Sequence, residues 1–200
     1  RKPVVRIFLV CLAIALSVYL IFFMVSSLIT LKYPFYLEWM EGVSAIQTER
    51  ILQGKPFYVE PHLEYVPLIY TPLYFYVSAG MYHLFQPHFF ALRMTSFISS
   101  MLIFLLMFLI IWRETNNYRS AILSVGFFAS FYALSGFWYS IARVDMLFLL
   151  FILLSILFLR SRNVFMLIAG GFSLYLAFMT KQSTLVFVFT IYIYLLVTSF

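Results

Sequence analysis

The chain has 200 residues, of which 64% are hydrophobic, 22% are aromatic and only 10% are charged. A soluble domain of this size could not cover so much apolar surface with so few charges, so the composition predicts an all-α polytopic membrane protein. The single cysteine, Cys11, excludes a disulfide framework and a cysteine-rich zinc cluster. The formal net charge of +6 is better explained by membrane topology than by nucleic-acid binding, because Lys and Arg accumulate in cytoplasmic loops.

Long charge-free stretches predict about six transmembrane helices. The first covers residues 7–31, and because this apolar run is too long for the hydrophobic region of a signal peptide, it predicts an uncleaved anchor. The other predicted spans cover residues 94–112, 120–142, 146–159, 163–180 and 182–200. Residues 1–200 are therefore expected to form a single transmembrane module. Since the sequence ends inside an apolar run, it is expected to be truncated at its C-terminus.

One long connection, over residues 32–92, separates the first two predicted spans. It is rich in aromatic residues and proline, which argues against disorder. Residues 44–52 predict a short amphipathic helix at the membrane interface, with Gly54 as its C-terminal cap. The prolines in residues 65–92 predict an interfacial, partly helical segment, with a re-entrant or short spanning helix over residues 70–86 as the alternative.

The distribution of charges predicts the orientation. With a cytoplasmic N-terminus and six spans, seven basic residues and only one acidic residue, Glu114, lie inside, whereas six basic and six acidic residues lie outside. This asymmetry follows the positive-inside rule. The long loop and nearly all of the carboxylates are therefore expected on the outer face of the membrane.

Five charged residues beside the predicted spans are candidate site residues: Glu38 and Glu41 in YLEWMEG, Arg143 and Asp145 in IARVDM, and Lys181 in MTKQS. The simple alternatives are interfacial charges, a solvated turn between two spans, and a snorkelling loop lysine. However, turns usually contain Gly, Pro, Asn or Ser, and none of these stands between Ser140 and Asp145. Ionisable residues at a membrane boundary indicate function when they face the protein interior.

Four pieces of the chain, in this order, resemble the N-terminal half of GT-C-fold membrane glycosyltransferases of the protein O-mannosyltransferase-like and lipid A aminoarabinose transferase-like kinds. They are YLEWMEGVSAIQTERILQGKPFY, YTPLYFYVSAGMYHLF, YSIARVDMLFLLFILLSILFL and AFMTKQSTLVFVF. The resemblance implies transfer of a sugar, with inversion, from a polyprenyl-phosphate donor to a hydroxyl of a protein, lipid or glycan acceptor on the outer face. Membrane lipids are the remaining expected partners.

The resemblance also implies roles for the candidate residues. Such a transfer needs a base for the acceptor hydroxyl and cations for the departing phosphate. Glu41 best matches the acidic position of the family and is the first choice for the base, and Glu38 is the second. Asp145 is expected to orient the sugar or the acceptor. Arg143 and Lys181 are expected to bind the phosphate.

The chain departs from the family pattern at two positions. Several relatives carry a basic residue just before the proline-rich segment of the first loop. This chain has Tyr70 there, and we expect Tyr70 to contact the substrate. The phosphate is then held either by the two cations named above or by a further cation beyond this chain. Many relatives begin the acidic motif with Asp-Glu, whereas here Met40 precedes Glu41, so Glu38 remains a candidate for the base.

Three other interpretations remain at this point. No cofactor is expected, although paired carboxylates could hold Mg²⁺ or Mn²⁺, and some GT-C enzymes use such an ion; the two glutamates lack a clear further ligand. A transporter would place charges at mid-span and break its helices at repeated positions. A non-catalytic membrane scaffold would need no paired acids on one face.

Overall fold

A computed structural model of the chain describes residues 2–62, 65, 67, 69–86 and 88–199. Arg1, Glu64 and Phe200, which entered the predictions above, lie outside the described residues. The regular secondary structure of the described part consists of helices, apart from an isolated bridge between His62 and Tyr65. Its eight helices are α1 (Lys2–Leu31), α2 (Trp39–Leu52), α3 (Leu73–Tyr82), α4 (His88–Thr115), α5 (Tyr118–Ser130), α6 (Asp145–Leu159), α7 (Val164–Thr180) and α8 (Thr184–Ser199).

Two of these helices are long and apolar enough to cross a membrane. The qualifying segments are Pro3–Leu31 in α1 and Phe89–Thr115 in α4. The apolar helices α6, α7 and α8 have 15, 17 and 16 residues. They are therefore about 22–26 Å long, less than the roughly 30 Å of a bilayer core. The predicted all-α membrane protein is confirmed, whereas the number of six spans stays a prediction.

The predicted single helix over residues 120–142 is wrong. Helix α5 ends at Ser130, and the chain then runs through turns, which we call the turn segment (residues 131–144), before α6 begins. Gly136 has φ 70° and Phe137 has φ 64°. A right-handed helix cannot contain this left-handed backbone, and glycine adopts it without a steric penalty.

Side chains of neighbouring helices satisfy the backbone of the turn segment. The hydroxyl of Ser100 on α4 donates to the carbonyl of Tyr139 at 2.6 Å, and that of Ser96 donates to the carbonyl of Arg143 at 3.0 Å. All four residues have little solvent exposure. Irregular backbone at membrane depth is stable only when the protein itself supplies such partners. The polar side chains of α4 therefore allow the chain to leave helical geometry here.

Helix α2 differs from the predicted interfacial helix in its start and in its buried face. It begins five positions earlier than residue 44, and Glu38 caps its N-terminus by accepting from the amide of Met40. Its buried side chains are mostly polar, whereas Ile46 is exposed. The predicted apolar face is therefore only partly correct: Ile51 packs against the hydrophobic core, but most of the fully buried side chains of α2 are polar. The buried residues of α2 are Met40, Glu41, Ser44, Gln47 and Thr48.

Two further predictions about this part of the chain agree with the structure. Gly54 follows α2 with φ 66°, and the amides of Gly54 and Lys55 bond back to carbonyls in the last turn, as expected for a glycine cap. Residues 65–92 are partly helical: α3 has ten residues and is about 15 Å long, too short to span a bilayer. Its Tyr74 donates to the carbonyl of Leu92 on α4 at 3.0 Å, so α3 packs into the protein.

The close packing of α6 on α7 brings together the two helix ends that carry Asp145 and Lys181. A Cβ atom at Gly170 would lie 2.7 Å from Cγ of Leu159, so this approach requires a glycine. Gly171 has no such neighbour within 4 Å. Asp145 is the first residue of α6, and Lys181 follows the last residue of α7, so antiparallel packing places them at the same end of the protein.

Candidate functional site

Glu41, the first choice for the base, forms a buried ion pair with Arg93. Both side chains have 0% exposure, and Nη2 of Arg93 is 2.8 Å from Oε2 of Glu41. Arg93 also donates from Nε to Oε1 of Glu41 at 2.9 Å. Its other hydrogen bonds go to the carbonyls of Thr30, in the last turn of α1, and of Tyr33 and Phe35, just after that helix. Arg93 thus fastens the end of α1 and the start of α2 to α4.

The carboxylate of Glu41 has no free acceptor position. Oε1 accepts from Arg93 and from the amide of Ala142 at 2.7 Å, and Oε2 accepts from Arg93 and from the amide of Leu37 at 2.6 Å. These four bonds use the roughly four lone-pair positions of a carboxylate. An acceptor hydroxyl could reach Glu41 only if Arg93 gave up one of its hydrogen bonds to this carboxylate. The geometry therefore favours a positioning role for Glu41 over a role as the base.

Glu38 lies in a different environment from Glu41, although only three positions separate them. Its side chain is 26% exposed, and its Oε2 lies 3.3 Å from Nη1 of Arg143. The same oxygen caps α2 by accepting from Met40 at 3.1 Å. Both contacts use Oε2, so Oε1 is the carboxylate oxygen that can meet a substrate.

Asp145 holds two cations at the end of α6. Its Oδ2 accepts from Nε of Arg143 at 3.0 Å, and its Oδ1 accepts from Nζ of Lys181 at 2.7 Å. Arg143 therefore bridges Asp145 and Glu38. Together these residues form the polar cluster (Glu38, Arg143, Asp145 and Lys181), which has two positive and two negative charges.

Aromatic rings enclose both cations of the polar cluster. The guanidinium of Arg143 lies 3.7 Å from the ring centre of Trp138, and Nζ of Lys181 lies 5.6 Å from that of Tyr70. Such cation–π contacts are stronger where water is excluded. They restrict the two side chains and leave further N–H donors of Arg143 and Lys181 for an anion.

Two hydrogen bonds hold the segment that carries Tyr70 against the end of α7. The hydroxyl of Thr71 donates to the carbonyl of Phe178 at 2.7 Å. The side-chain amide of Gln182 donates to the carbonyl of Ile69. The segments predicted from the resemblance, 36–42, 70–72, 143–145 and 180–182, therefore meet at one end of the protein.

A groove of about 540 Å³ opens beside Glu38, between α1 and the turn segment. Its lining is mostly apolar, and Glu38 provides its charged group. An apolar ligand in this groove would therefore lie close to a carboxylate. The other lining residues are Phe22, Ser26, Ile29, Thr30, Leu37, Gly136, Phe137 and Ile141.

The described residues contain no group of three or more His, Cys, Asp or Glu side chains that could hold a metal ion. The oxygens of Glu41 and Asp145 are already bonded to cationic side chains or to amides. The charge of this site is thus organised by arginine and lysine.

Sequence reasoning missed Arg93 and Trp138. Arg93 is one of the six basic residues that the charge count placed on the outer side, and no role was predicted for it, but in α4 its side chain is completely buried. A signal was present, because Arg93 is the one charged residue between Glu64 and Arg113. No comparable signal distinguishes Trp138 from the other aromatic residues of the turn segment.

Comparison with known proteins identifies the family. Residues 67–199 match the family described as dolichyl-phosphate-mannose-protein mannosyltransferase, a stretch that contains Tyr70, Arg143, Asp145 and Lys181 and begins after the glutamate motif. No curated protein and no solved structure gave a significant match. The predicted resemblance to GT-C mannosyltransferase-like enzymes is confirmed. The chain belongs to the dolichyl-phosphate-mannose-protein mannosyltransferase family, the members of which are membrane glycosyltransferases.

Proposed function

We propose that the protein transfers a sugar from a polyprenyl-phosphate carrier to an acceptor hydroxyl, with inversion, and that the polar cluster is its active site. The observation that carries the proposal is the connection from Glu38 through Arg143 and Asp145 to Lys181, with contacts of 2.7–3.3 Å. It combines a carboxylate that retains a free oxygen with two cations that retain free donors. General-base chemistry and phosphate departure need these two components.

Glu38 is our choice for the base, in preference to Glu41. The acceptor oxygen forms a bond to the anomeric carbon, its proton passes to Oε1 of Glu38, and the bond from the anomeric carbon to the phosphate oxygen breaks. The bonding electrons leave with the phosphate. A single displacement of this kind inverts the anomeric centre.

Arg143 couples the two halves of the reaction electrostatically. Before transfer, Nη1 of Arg143 is shared with Glu38. Protonation neutralises Glu38 just as the leaving phosphate gains a second negative charge. The positive charge of Arg143 then becomes available to the phosphate, while Asp145 keeps both cations in place. This coupling stabilises the transition state more than the ground state, which is the requirement for catalysis.

The groove beside Glu38 supports an acceptor with an apolar portion. In an in-line displacement the base and the leaving phosphate lie on opposite sides of the anomeric carbon. The groove contacts Glu38 and lies on the acceptor side in this arrangement. Among the hydroxyl acceptors considered above, a lipid-borne one fits this lining best.

Transfer of labelled mannose from polyprenyl-phosphate mannose tests the proposal. Membranes that contain the wild type are compared with membranes that contain Glu38→Gln, Asp145→Asn or the control Glu49→Gln, which changes an exposed glutamate of α2. Loss of a positioned base lowers turnover by about 10²–10⁴-fold, so we expect this loss for Glu38→Gln and none for the control. Wild-type turnover in both site variants would remove the polar cluster from the mechanism.

We propose six spans with a cytoplasmic N-terminus and the polar cluster on the outer face. The positive-inside charge distribution supports this orientation. Single cysteines introduced at the exposed residues Lys55 and Asn116, in a background with Cys11→Ser, should react with an impermeant thiol reagent from opposite sides. Labelling of Lys55→Cys from the cytoplasmic side alone would reverse the orientation.

A further inference from the structure

A second groove lies between α1 and α5, far from the polar cluster. It has a volume of about 370 Å³. Arg6, near the start of α1, and Arg119, near the start of α5, belong to its lining. Arg6 and Thr30 are 24 positions apart on α1, a distance of about 36 Å along the helix, so the groove lies at the opposite end of the protein from the site. Its apolar lining consists of Leu9, Val10, Ala13, Ile122 and Leu123.

The two arginines have no acidic partner among the described residues. The acidic side chain described at this end, Glu114, is paired with Arg160 at 2.6 Å. Nε of Arg119 donates to the hydroxyl of Tyr118 at 3.3 Å, which does not neutralise its charge. Arg119 is also in the first turn of α5, where no acidic residue is present and where the helix dipole disfavours a cation. The mouth of the groove therefore has a positive charge that the protein leaves uncompensated.

The geometry points to a binding site for one phospholipid with an anionic headgroup. The headgroup phosphate would lie between Arg6 and Arg119, and an acyl chain would lie along the apolar lining. From Arg6 to Ala13 the groove extends about 10 Å along α1, which corresponds to about two thirds of one bilayer leaflet. The groove thus offers the two features that such a lipid needs, namely positive charge for its headgroup and an apolar surface for its acyl chain.

Charge complementarity selects this occupant among lipids. In the orientation proposed above the groove opens at the cytoplasmic leaflet, which is rich in anionic lipids, and each arginine that faces the headgroup contributes about fivefold in affinity. Phosphatidylcholine also has a phosphate, but the arginines repel its quaternary ammonium group. This lipid site is separate from the proposed transfer chemistry and does not depend on it.

Native mass spectrometry of the purified protein in detergent, with phosphatidylglycerol or phosphatidylcholine added, tests the site. We expect phosphatidylglycerol to bind more tightly than phosphatidylcholine, and Arg6→Gln with Arg119→Gln to weaken its binding by about 25-fold. The matched control, Arg113→Gln with Arg162→Gln, removes the same net charge from residues that do not line the groove and should change binding by less than about twofold, because salt screens charges that the headgroup does not contact. An equal loss in the control, or equal binding of the two lipids, would refute the site.

A second variant tests whether an acyl chain occupies the groove. Val10→Trp fills the groove and leaves both arginines unchanged, whereas Val5→Trp changes an exposed residue of α1 that does not line it. We expect weaker phosphatidylglycerol binding only for Val10→Trp. Displacement of the lipid by millimolar inorganic phosphate, with no effect of Val10→Trp, would instead indicate a simple anion site and would overturn the proposal.

Discussion

Substitution of Glu41 by glutamine should destabilise the protein strongly, because Glu41 neutralises a buried arginine. The amide group of glutamine carries no charge and replaces one acceptor oxygen by a donor, which would face other donors. Removing one partner of a buried ion pair costs about 3–5 kcal/mol. At about 2–4 °C per kcal/mol for a chain of this size, the melting temperature should fall by about 6–20 °C.

Thermal unfolding of the purified protein in detergent measures this change, and a double-mutant cycle assigns it. Arg93→Gln alone should be similarly destabilising, since Glu41 then stays buried without its cation. The double variant Glu41→Gln with Arg93→Gln should cost less than the sum of the two by about 1–3 kcal/mol. Strict additivity would show that the ion pair does not connect the two residues energetically.

The neighbouring glutamate supplies the contrast. Glu38→Gln keeps an oxygen that can cap α2 and changes a partly exposed side chain, so stability should change by no more than about 0.5 kcal/mol. Its turnover should nevertheless fall as described above. The assignment of roles would be refuted if Glu41→Gln unfolded at the wild-type temperature without activity while Glu38→Gln remained fully active. Glu41 would then be the base.

Two further predictions concern the cation beside Glu38 and the packing of α6 on α7. Arg143→Lys cannot contact both carboxylates and stack on an indole ring, and loss of one charge-assisted bond should lower transfer by about 10- to 100-fold; Arg162→Lys, at an exposed site, is the control and should be silent. Gly170→Ala places a Cβ 2.7 Å from Leu159 and should lower the free energy of unfolding by about 1–3 kcal/mol. Gly171→Ala has open space around its Cβ and should not destabilise the protein, since alanine favours a helix over glycine. Equal melting temperatures for the two variants would contradict the close helix contact.

Sequence reasoning located the members of the polar cluster because Glu38 lies just after a predicted span and Arg143, Asp145 and Lys181 interrupt apolar runs. An isolated charge beside a span is costly unless it is solvated or paired, so its position alone is informative. The order of the motifs then indicated that the charges belong to one site, and the structure brings Glu38, Arg143, Asp145 and Lys181 together. Their roles in transfer remain predictions.

Hydropathy could not reveal the end of α5 or the buried face of α2. A window average treats residues 120–142 as one apolar run and is insensitive to a single Ser135-Gly136 pair. What permits the break is remote in sequence, because Ser96 and Ser100 of α4 satisfy the carbonyls of the turn segment. The same limitation applies to α2, because the partners of its buried polar side chains are remote in sequence: Arg93 binds Glu41, and the hydroxyl of Tyr65 donates to Gln47.

Because Glu41 is hydrogen-bonded to the turn segment, Glu41→Gln should also impair catalysis, but in a different way from loss of the base. Oε1 of Glu41 accepts from the amide of Ala142, the residue that immediately precedes Arg143. Weakening this bond frees the backbone that aims Arg143 at the phosphate, while Glu38 keeps its own contacts. The folded fraction of Glu41→Gln should therefore show both a raised KM for the donor and a lowered kcat, because Arg143 contacts the phosphate before and during transfer, whereas Glu38→Gln should lower kcat with little change in KM. The same kinetic pattern for both variants would mean that the two glutamates act in one step.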